Sequence, residues 1–177
     1  MLYTVECTYT DRESEDEWNN FYSLEKLPAL LSVSGFSTSQ RFKALSPGCP
    51  VYLAIHTIRD ANVISSEEYR QKGGGNFSRW QPFITDWQRN LYESNEQAPA
   101  VSANDILLLS PTPLDFLETE RGYRAWEMLA AGLDKCPARR IAYVLSRETL
   151  GLLSEITKGH CYEPITTQLQ NPTHLDA

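Results

Sequence analysis

The sequence predicts an α+β fold, and two features of the chain favour this class. Short segments rich in β-branched and aromatic residues alternate with segments whose apolar residues have helical spacing. In the first 95 residues these segments follow the order β-α-β-β-α-β, which defines the split βαβ, or ferredoxin-like, unit. Such a sheet carries helices on one face only, so another layer has to cover its bare face.

The first half is predicted to span residues 1–95. Its four strands are expected where side chains alternate or β-branched residues concentrate: Leu2–Thr10, Phe36–Leu45, Pro50–Ile58 and Ile84–Tyr92. Two capping-box spacings, beginning at Ser14 and Ser65, indicate the starts of helices. The first helix carries an apolar stripe and restarts at Pro28, and the second helix ends at Gly73.

The second half is predicted to span residues 102–170, after a polar linker at residues 94–104. Its expected order is β-α-β-α-β, with a strand at Ile106–Leu109, a helix at Tyr123–Leu133, a strand at Arg140–Leu145, a helix at Thr149–Ile156 and a strand at Cys161–Leu169. Residues 171–177 are expected to form a polar tail. This half has the outline of a shorter, degenerate ferredoxin-like copy of the first. Either it covers the bare face of the first sheet, or a dimer partner does.

The composition limits the classes of function. The chain carries 16 basic and 23 acidic residues, a formal net charge of −7, whereas nucleic-acid binding requires a basic surface. The same charge disfavours attachment to an anionic membrane surface. The N-terminus lacks the basic and apolar regions of a signal peptide, and no segment approaches the ~20 apolar residues of a membrane helix. A cytoplasmic location is therefore expected.

The sequence lacks motifs for metals, nucleotides and phosphate. The four Cys residues are widely spaced, which favours buried free thiols over a zinc site. The triple glycine at residues 73–75 follows a predicted helix and lacks the lysine of a phosphate-binding loop. His160 is expected in a surface turn and His174 in the tail. The sequence thus predicts a protein that uses neither a metal nor another cofactor.

Several short motifs of the first half carry a family resemblance: Trp18-x-x-Phe21-Tyr22, Gly35-Phe36 with Gln40-Arg41-Phe42, Tyr52-Leu53-Ala54, Glu67-x-Tyr69, Trp80-x-Pro82 and Asp86-Trp87-x-Arg89-Asn90-Leu91. Through these motifs residues 1–93 resemble the dimeric α/β-barrel superfamily, near its EthD-like and antibiotic-monooxygenase-like members. The resemblance implies a homodimer or a fused barrel, with a small-molecule ligand placed against the sheet. Known members include cofactor-independent monooxygenases, isomerases and dehydratases, so the resemblance favours the fold more than any one activity.

The more polar face of the predicted sheet carries the candidate catalytic residues. In a ferredoxin-like sheet the third strand lies beside the first, which would make Glu6 and His56 neighbours, with Arg41 on the adjoining strand. His56 is predicted as the acid or base, Glu6 as the carboxylate that orients it, and Arg41 as the clamp for a substrate anion. The alternative is an ion pair that only holds two layers together.

Four aromatic residues are predicted to bind the substrate. Tyr52 lies on the same predicted face and would donate to a developing oxyanion. Trp80, Phe83 and Trp87 follow the triple glycine and would wall a pocket, with core packing as the alternative. Together these residues predict a small enzyme that moves protons on an apolar or aromatic carbonyl or lactone, as an isomerase, dehydratase, cyclase or lactone-opening enzyme. The opposing hypothesis is a non-catalytic module that binds a small molecule or takes part in an assembly.

Overall fold

The computed structural model describes residues 1–155 and 158–171, and in these residues nine strands form one antiparallel sheet. The strands are β1 (Leu2–Tyr9), β2 (Phe36–Ala44), β3 (Tyr52–Ile58), β4 (Ile84–Glu93), β5 (Asp105–Ser110), β6 (Trp126–Leu133), β7 (Arg139–Ser146), β8 (His160–Pro164) and β9 (Leu169–Gln170). Eight of them pair in the order β3-β1-β4-β6-β7-β5-β8-β2, and β2 also pairs with β3. This last pairing closes the eight strands into a barrel, while the short β9 also pairs with β2.

The two halves of the chain contribute four barrel strands each. The first four are arranged in the order β4-β1-β3-β2 and the next four in the order β8-β5-β7-β6, so both halves follow one pattern. The halves join at two seams, where β4 pairs with β6 and β2 pairs with β8. One chain therefore supplies every pairing that closes the barrel.

Helices cover the outside of the first half. α1 (Glu15–Phe21) continues through a π-helical turn, Tyr22–Lys26, into α2 (Leu27–Leu31), and α3 (Glu67–Gln71) lies between β3 and β4. The Oγ atom of Ser66 accepts a hydrogen bond from the backbone N–H of Tyr69 and caps α3. The helix start predicted at Ser65 is therefore displaced by one residue.

Alternation of side chains along the strands separates an inner core from two outer ones. On β1, the odd-numbered residues from Tyr3 to Tyr9 pack against the helices of the first half. The even-numbered residues point into the barrel, whose interior is filled mainly by apolar side chains, including Leu2, Phe42, Leu53, Leu107 and Met128. A third cluster, around Leu108 and Tyr143, lies on the outside of the second half.

The linker between the halves closes one end of the barrel. Ala98 and Val101 are buried among the interior residues. The side-chain amide of Gln40 holds both backbone groups of Val101, since its Nε2 donates to the carbonyl at 2.7 Å and its Oε1 accepts from the N–H at 3.1 Å. The Thr57 hydroxyl accepts from the N–H of Ala98 at 2.9 Å. The polar linker predicted at residues 94–104 is therefore a plug for the barrel.

The second half departs from its predicted elements. The helix predicted at Tyr123–Leu133 is wrong, because Trp126–Leu133 forms β6 and pairs with both β4 and β7. The apolar residues of this segment are compatible with a helix or a strand. In the strand Met128 is buried, and its two neighbours in sequence are exposed. The helix predicted from Thr149 is a 3-10 segment, Arg147–Glu155. The last predicted strand is interrupted and becomes β8 and β9.

Some of the predictions fall outside the described residues, namely the helix end at Ile156 and the tail from residue 172 onward, including His174. Asn171, the first residue of the predicted tail, is held in place. Its side-chain amide donates to the carbonyls of Leu31 (3.1 Å) and Phe36 (3.2 Å). Across the described part of the chain, no helix has the length and apolar character needed to cross a membrane.

Candidate functional site

The predicted trio of Glu6, Arg41 and His56 does not converge. His56 pairs with Tyr3 across the β1–β3 ladder, so both side chains point outward to the helices. Glu6 pairs with Leu53 and points into the barrel. The prediction that Glu6 and His56 are neighbours is wrong. It placed His56 on the face of the sheet that carries Glu6, whereas His56 lies on the opposite face. A shift of one residue along a strand moves every side chain to the other side of the sheet.

His56 is packed as a neutral core residue. It is fully buried, with its ring 5.5 Å from that of Tyr3 and 5.3 Å from that of Phe36 between ring centroids. Its Nδ1 lies 2.7 Å from the hydroxyl oxygen of Ser39. Burial, followed by the positive charge of Lys26, lowers the pKa of His56 to about 3. The imidazole is therefore uncharged at neutral pH and lies away from the barrel interior.

Arg41 fastens the first helix to the sheet. Its guanidinium donates to the side chains of Asn19 and Ser23, both at 2.8 Å, and lies 4.0 Å from the centre of the Tyr22 ring. Burial lowers the pKa of Arg41 to about 10, which still leaves it charged at neutral pH. The predicted oxyanion donor is occupied too, because the Tyr52 hydroxyl donates to Glu15 at 2.5 Å.

The predicted aromatic wall belongs to the same outer layer. Trp80 stacks on Phe21 with ring centroids 4.4 Å apart. Phe83 lies 5.9 Å from Tyr9, and Trp87 lies edge-on to Phe77 at 5.5 Å. Trp80 is thus packed against α1 as a core residue, while Phe83 and Trp87 lie on the outside of the first half and are each 37% exposed. None of the three lines the cavity that is described next.

A cavity of about 260 Å³ opens at the end of the barrel opposite the linker plug. Strands from both halves and the β2–β3 and β6–β7 connections supply its walls, which consist of Glu6, Gly48, Cys49, Pro50, Gln88, Leu109, Ser110, Pro111, Pro137, Arg139, Arg140, Lys158, His160 and Tyr162. Glu6 is the only residue of the predicted site among them. The other polar groups of this cavity were not predicted from the sequence.

The cavity contains a buried ion pair between Glu6 and Arg140. Each carboxylate oxygen of Glu6 lies 2.9 Å from a terminal nitrogen of the Arg140 guanidinium. Both residues are less than one-tenth exposed. Burial acts to lower the pKa of Arg140, but the hydrogen bond and the charge of Glu6 outweigh it, so the pKa of Arg140 is raised. The Arg140 guanidinium therefore stays charged and lies against the carboxyl group of Glu6.

The Tyr162 hydroxyl lies beside this pair and next to the Cys49 thiol. The side chain is fully buried, and among the described residues no nitrogen or oxygen forms a hydrogen bond with its hydroxyl oxygen. The nearby polar groups are Glu6, Arg140 and the Cys49 thiol. Burial, followed by the charge of Glu6, raises the pKa of Tyr162 far above its ordinary value. The phenol therefore stays protonated and has a hydrogen bond to donate.

His160 and Cys49 also line the cavity. The Nδ1 atom of His160 is buried and has no hydrogen-bond partner among the described residues. His160 lies on the interior side of β8, two positions before Tyr162, so its predicted place in a surface turn is wrong. Burial raises the pKa of the Cys49 thiol, which favours its protonated form.

The described residues hold no group of three or more His, Cys, Asp or Glu side chains that is arranged to bind a metal ion. The polar groups of the cavity are instead suited to a ligand with oxygen atoms. A guanidinium, a phenol and an imidazole can donate hydrogen bonds, and one carboxylate can accept a proton. This combination suits acid–base chemistry on a small molecule.

No protein-family model and no curated protein sequence matches this chain. Solved structures do match its fold. A proposed monooxygenase from Fusobacterium nucleatum subsp. nucleatum ATCC 25586 has a TM-score of 0.59 at 7% identity, covering 97% of this chain and 94% of its own. An anthrone oxidase-like protein has a TM-score of 0.57 at 12% identity, covering 96% and 92%. A proposed monooxygenase from Lactobacillus acidophilus NCFM has a TM-score of 0.50 at 9% identity, covering 94% of each chain. The chain therefore shares, over nearly its whole length, the barrel fold of these proteins.

Proposed function

We propose that this protein is a small enzyme that removes a proton from the carbon next to the carbonyl of an apolar or aromatic compound. The observation that carries the proposal is the Tyr162 hydroxyl, which has no nitrogen or oxygen partner among the described residues and lies beside the buried pair of Glu6 and Arg140 in an open cavity. In this proposal Glu6 is the base. Arg140 and Tyr162 bind the carbonyl oxygen.

The ion pair supports this assignment because proton transfer would preserve its charge balance. In the free enzyme, the Glu6 carboxylate balances the Arg140 guanidinium at 2.9 Å. When Glu6 takes the proton, it becomes neutral and the substrate becomes an enolate with a negative oxygen. That oxygen then replaces the carboxylate as the partner of Arg140, so no unpaired charge is buried at any step.

Tyr162 supplies the second donor to the enolate oxygen. A buried hydroxyl whose neighbouring hydrogen-bonding group is a thiol is poorly satisfied in the empty protein, and a substrate oxygen would be a stronger partner. Because its raised pKa keeps the hydroxyl protonated, it can donate a hydrogen bond throughout the neutral pH range. Loss of one such donor typically lowers kcat by about 10²–10³-fold.

The size and lining of the cavity support a compound of one or two rings. Its volume of about 260 Å³ lies just below the ~300–1,000 Å³ of most drug-sized ligand sites. Its apolar walls include Pro50, Leu109, Pro111 and Pro137. Aromatic ketones and lactones of this size combine a flat apolar body with one carbonyl oxygen.

We further infer that each half of the barrel is a ferredoxin-like unit, as in the dimeric α/β-barrel superfamily. The repeated strand order of the two halves supports this relationship. In this chain the two units are fused, which leaves the predicted homodimer as a separate question of assembly. The predicted cytoplasmic location likewise remains a proposal.

A second candidate function is cofactor-free oxygenation of the same enolate. The shared fold with proposed monooxygenases and an anthrone oxidase-like protein favours it. In such a reaction a CH₂ group and O₂ would yield a C=O group and water, with dioxygen as the oxidant. The first step, removal of a proton by Glu6, would be the same.

The test is hydrogen exchange in D₂O under nitrogen, followed by proton NMR, with 1-tetralone and acetophenone as probes. The wild-type protein should accelerate exchange of the hydrogens next to the carbonyl. Tyr162→Phe and Glu6→Gln should lose the acceleration, and Glu93→Gln, which changes an exposed glutamate of β4, should keep it.

The second candidate is tested with anthrone in air, by measuring oxygen uptake with an oxygen electrode. Probe binding without exchange or oxygen uptake would favour the non-catalytic module.

A further inference from the structure

The cavity at the end of the barrel is lined by more positive than negative charge. Three of its lining residues, Arg139, Arg140 and Lys158, are cationic, whereas Glu6 is the one carboxylate in the wall. The whole chain has the opposite balance, with a formal net charge of −7. Positively charged side chains concentrated at one cavity of an otherwise acidic protein favour an anionic ligand there.

Carboxylates of the protein already balance two of these cations. Glu6 pairs with Arg140 at the bottom of the cavity. Glu127 pairs with Arg139 from the outer side of the barrel, at 2.7 Å. Lys158 is exposed at the cavity wall, and in the described residues no carboxylate lies within ion-pair distance of its ammonium group. Lys158 is therefore the cation that remains for a ligand.

His160 is the neighbouring donor. It is separated from Lys158 by one glycine, and both residues line the cavity, with His160 next to Gly48. The His160 Nδ1 is buried and unpartnered in the described structure, so it can donate to or accept from a ligand. The segment of residues 158–160 thus offers an exposed ammonium and, two residues on, a buried imidazole nitrogen at the cavity wall.

The two ends of the cavity differ in what they can bind. At the buried end a second anion would face the Glu6 carboxylate, which is unfavourable in a desolvated site. At the open end a ligand carboxylate keeps part of its hydration and meets Lys158. We propose that the substrate is an aromatic ketone that also carries a carboxylate, with its carbonyl at Arg140 and Tyr162 and its carboxylate at Lys158 and His160.

This inference rests on the proposed function, because the orientation of the ligand follows from the position of the base. The test compares 3- and 4-acetylbenzoate with 3- and 4-acetylbenzamide, which have the same shape without the charge. Kd is measured by calorimetry, and exchange of the methyl hydrogens in D₂O by NMR. The wild-type protein should bind one acetylbenzoate about tenfold more tightly than its amide, since hydrogen bonds between charged groups are stronger than neutral ones.

Lys158→Gln and His160→Asn should each remove most of this preference, because they should weaken binding of the acetylbenzoate more than binding of its amide. Arg121→Gln removes an exposed cation that does not line the cavity and should have no effect. The preference should also weaken between about 20 mM and about 500 mM salt, because an exposed pair is screened.

Equal Kd values for the wild-type protein, with exchange that still depends on Glu6, would overturn this inference and leave the proposed function standing. A carboxylate preference that depends on Lys158, without any exchange, would support the inference and overturn the proposed function.

Discussion

Glu6 and Arg140 lie 134 positions apart in the sequence, yet each carboxylate oxygen of Glu6 is 2.9 Å from a guanidinium nitrogen of Arg140. Glu6 comes from β1 and Arg140 from β7, so the pair links the two halves of the chain across the inside of the barrel. Both groups are buried, and neither can lose its partner without leaving a charge in an apolar environment.

The first prediction concerns the stability that this pair provides. Glu6→Gln leaves the Arg140 charge unpaired and should lower the free energy of unfolding by about 3–5 kcal/mol. The double variant Glu6→Met with Arg140→Leu replaces both charges by apolar groups of similar volume and should lie within about 1 kcal/mol of the wild type. Urea denaturation measures both values. If the double variant were as unstable as Glu6→Gln, the attraction within the ion pair would exceed the free-energy cost of removing its two charges from water.

The second prediction separates function from stability at Tyr162. Because its hydroxyl has no nitrogen or oxygen partner among the described residues, Tyr162→Phe should preserve the melting temperature or raise it slightly. The same change should lower the rate of α-hydrogen exchange by about 10²–10³-fold.

The matched control for that variant is Tyr143→Phe. The Tyr143 hydroxyl accepts from the backbone N–H of Leu114 at 2.8 Å and donates to Glu118 at 2.7 Å, on the outer side of the barrel. Its removal should lower stability and leave the exchange rate per folded molecule unchanged. If Tyr162→Phe behaved like the control, with lost stability and unchanged exchange, its hydroxyl would be structural.

The third prediction is a pH dependence of stability from His56. Its pKa is about 3 in the folded protein and about 6.5 in an unfolded chain. Between these values the unfolded chain binds a proton at His56 and the folded chain does not, so stability falls as the pH decreases from about 6.5 towards 3. The slope from this group approaches about 1.4 kcal/mol per pH unit. Urea denaturation at several pH values should show a shallower slope for His56→Gln, and parallel curves would contradict the assignment.

The fourth prediction concerns the plug at the other end of the barrel. Gln40→Leu removes both hydrogen bonds to the backbone of Val101 and should lower the free energy of unfolding by about 1–3 kcal/mol. Amide hydrogen exchange at residues 98–101 should increase more than exchange in the central strands. Gln170→Leu, on the short β9, serves as a control because in the described residues its exposed side chain forms no hydrogen bond to the plug. Unchanged protection at Val101 would show that other contacts hold the plug.

The sequence was a good guide to the strands of the first half and a poor guide to the site. Alternation in Leu2–Tyr9 correctly separated the face of Glu6 from that of Tyr3. In β3 every residue is buried, so the hydrophobic pattern could not indicate which face His56 occupies. Register there depends on pairing with β1, which is a tertiary contact.

The second half shows the same limit. Trp126–Leu133 contains enough apolar residues to suit a helix, and only its pairing with β4 and β7 makes it a strand. Arg140 and Tyr162 each fall in a predicted strand, so alternation of side chains could have indicated which strand residues share a face with them. Their partner in the site, however, belongs to the first half, and no local pattern relates residues so far apart.

One chain supplies both four-strand units of the barrel, and this has a consequence for stoichiometry. A symmetric barrel made of two identical chains must carry every site twice, once for each copy. Here the carboxylate comes from one unit and the guanidinium and phenol come from the other, so the combination occurs once. Each chain should bind a single ligand molecule, and the two units are released from the requirement to stay alike. The α-helices of the described residues, α1, α2 and α3, all belong to the first half, so the two halves also differ on the outside of the barrel.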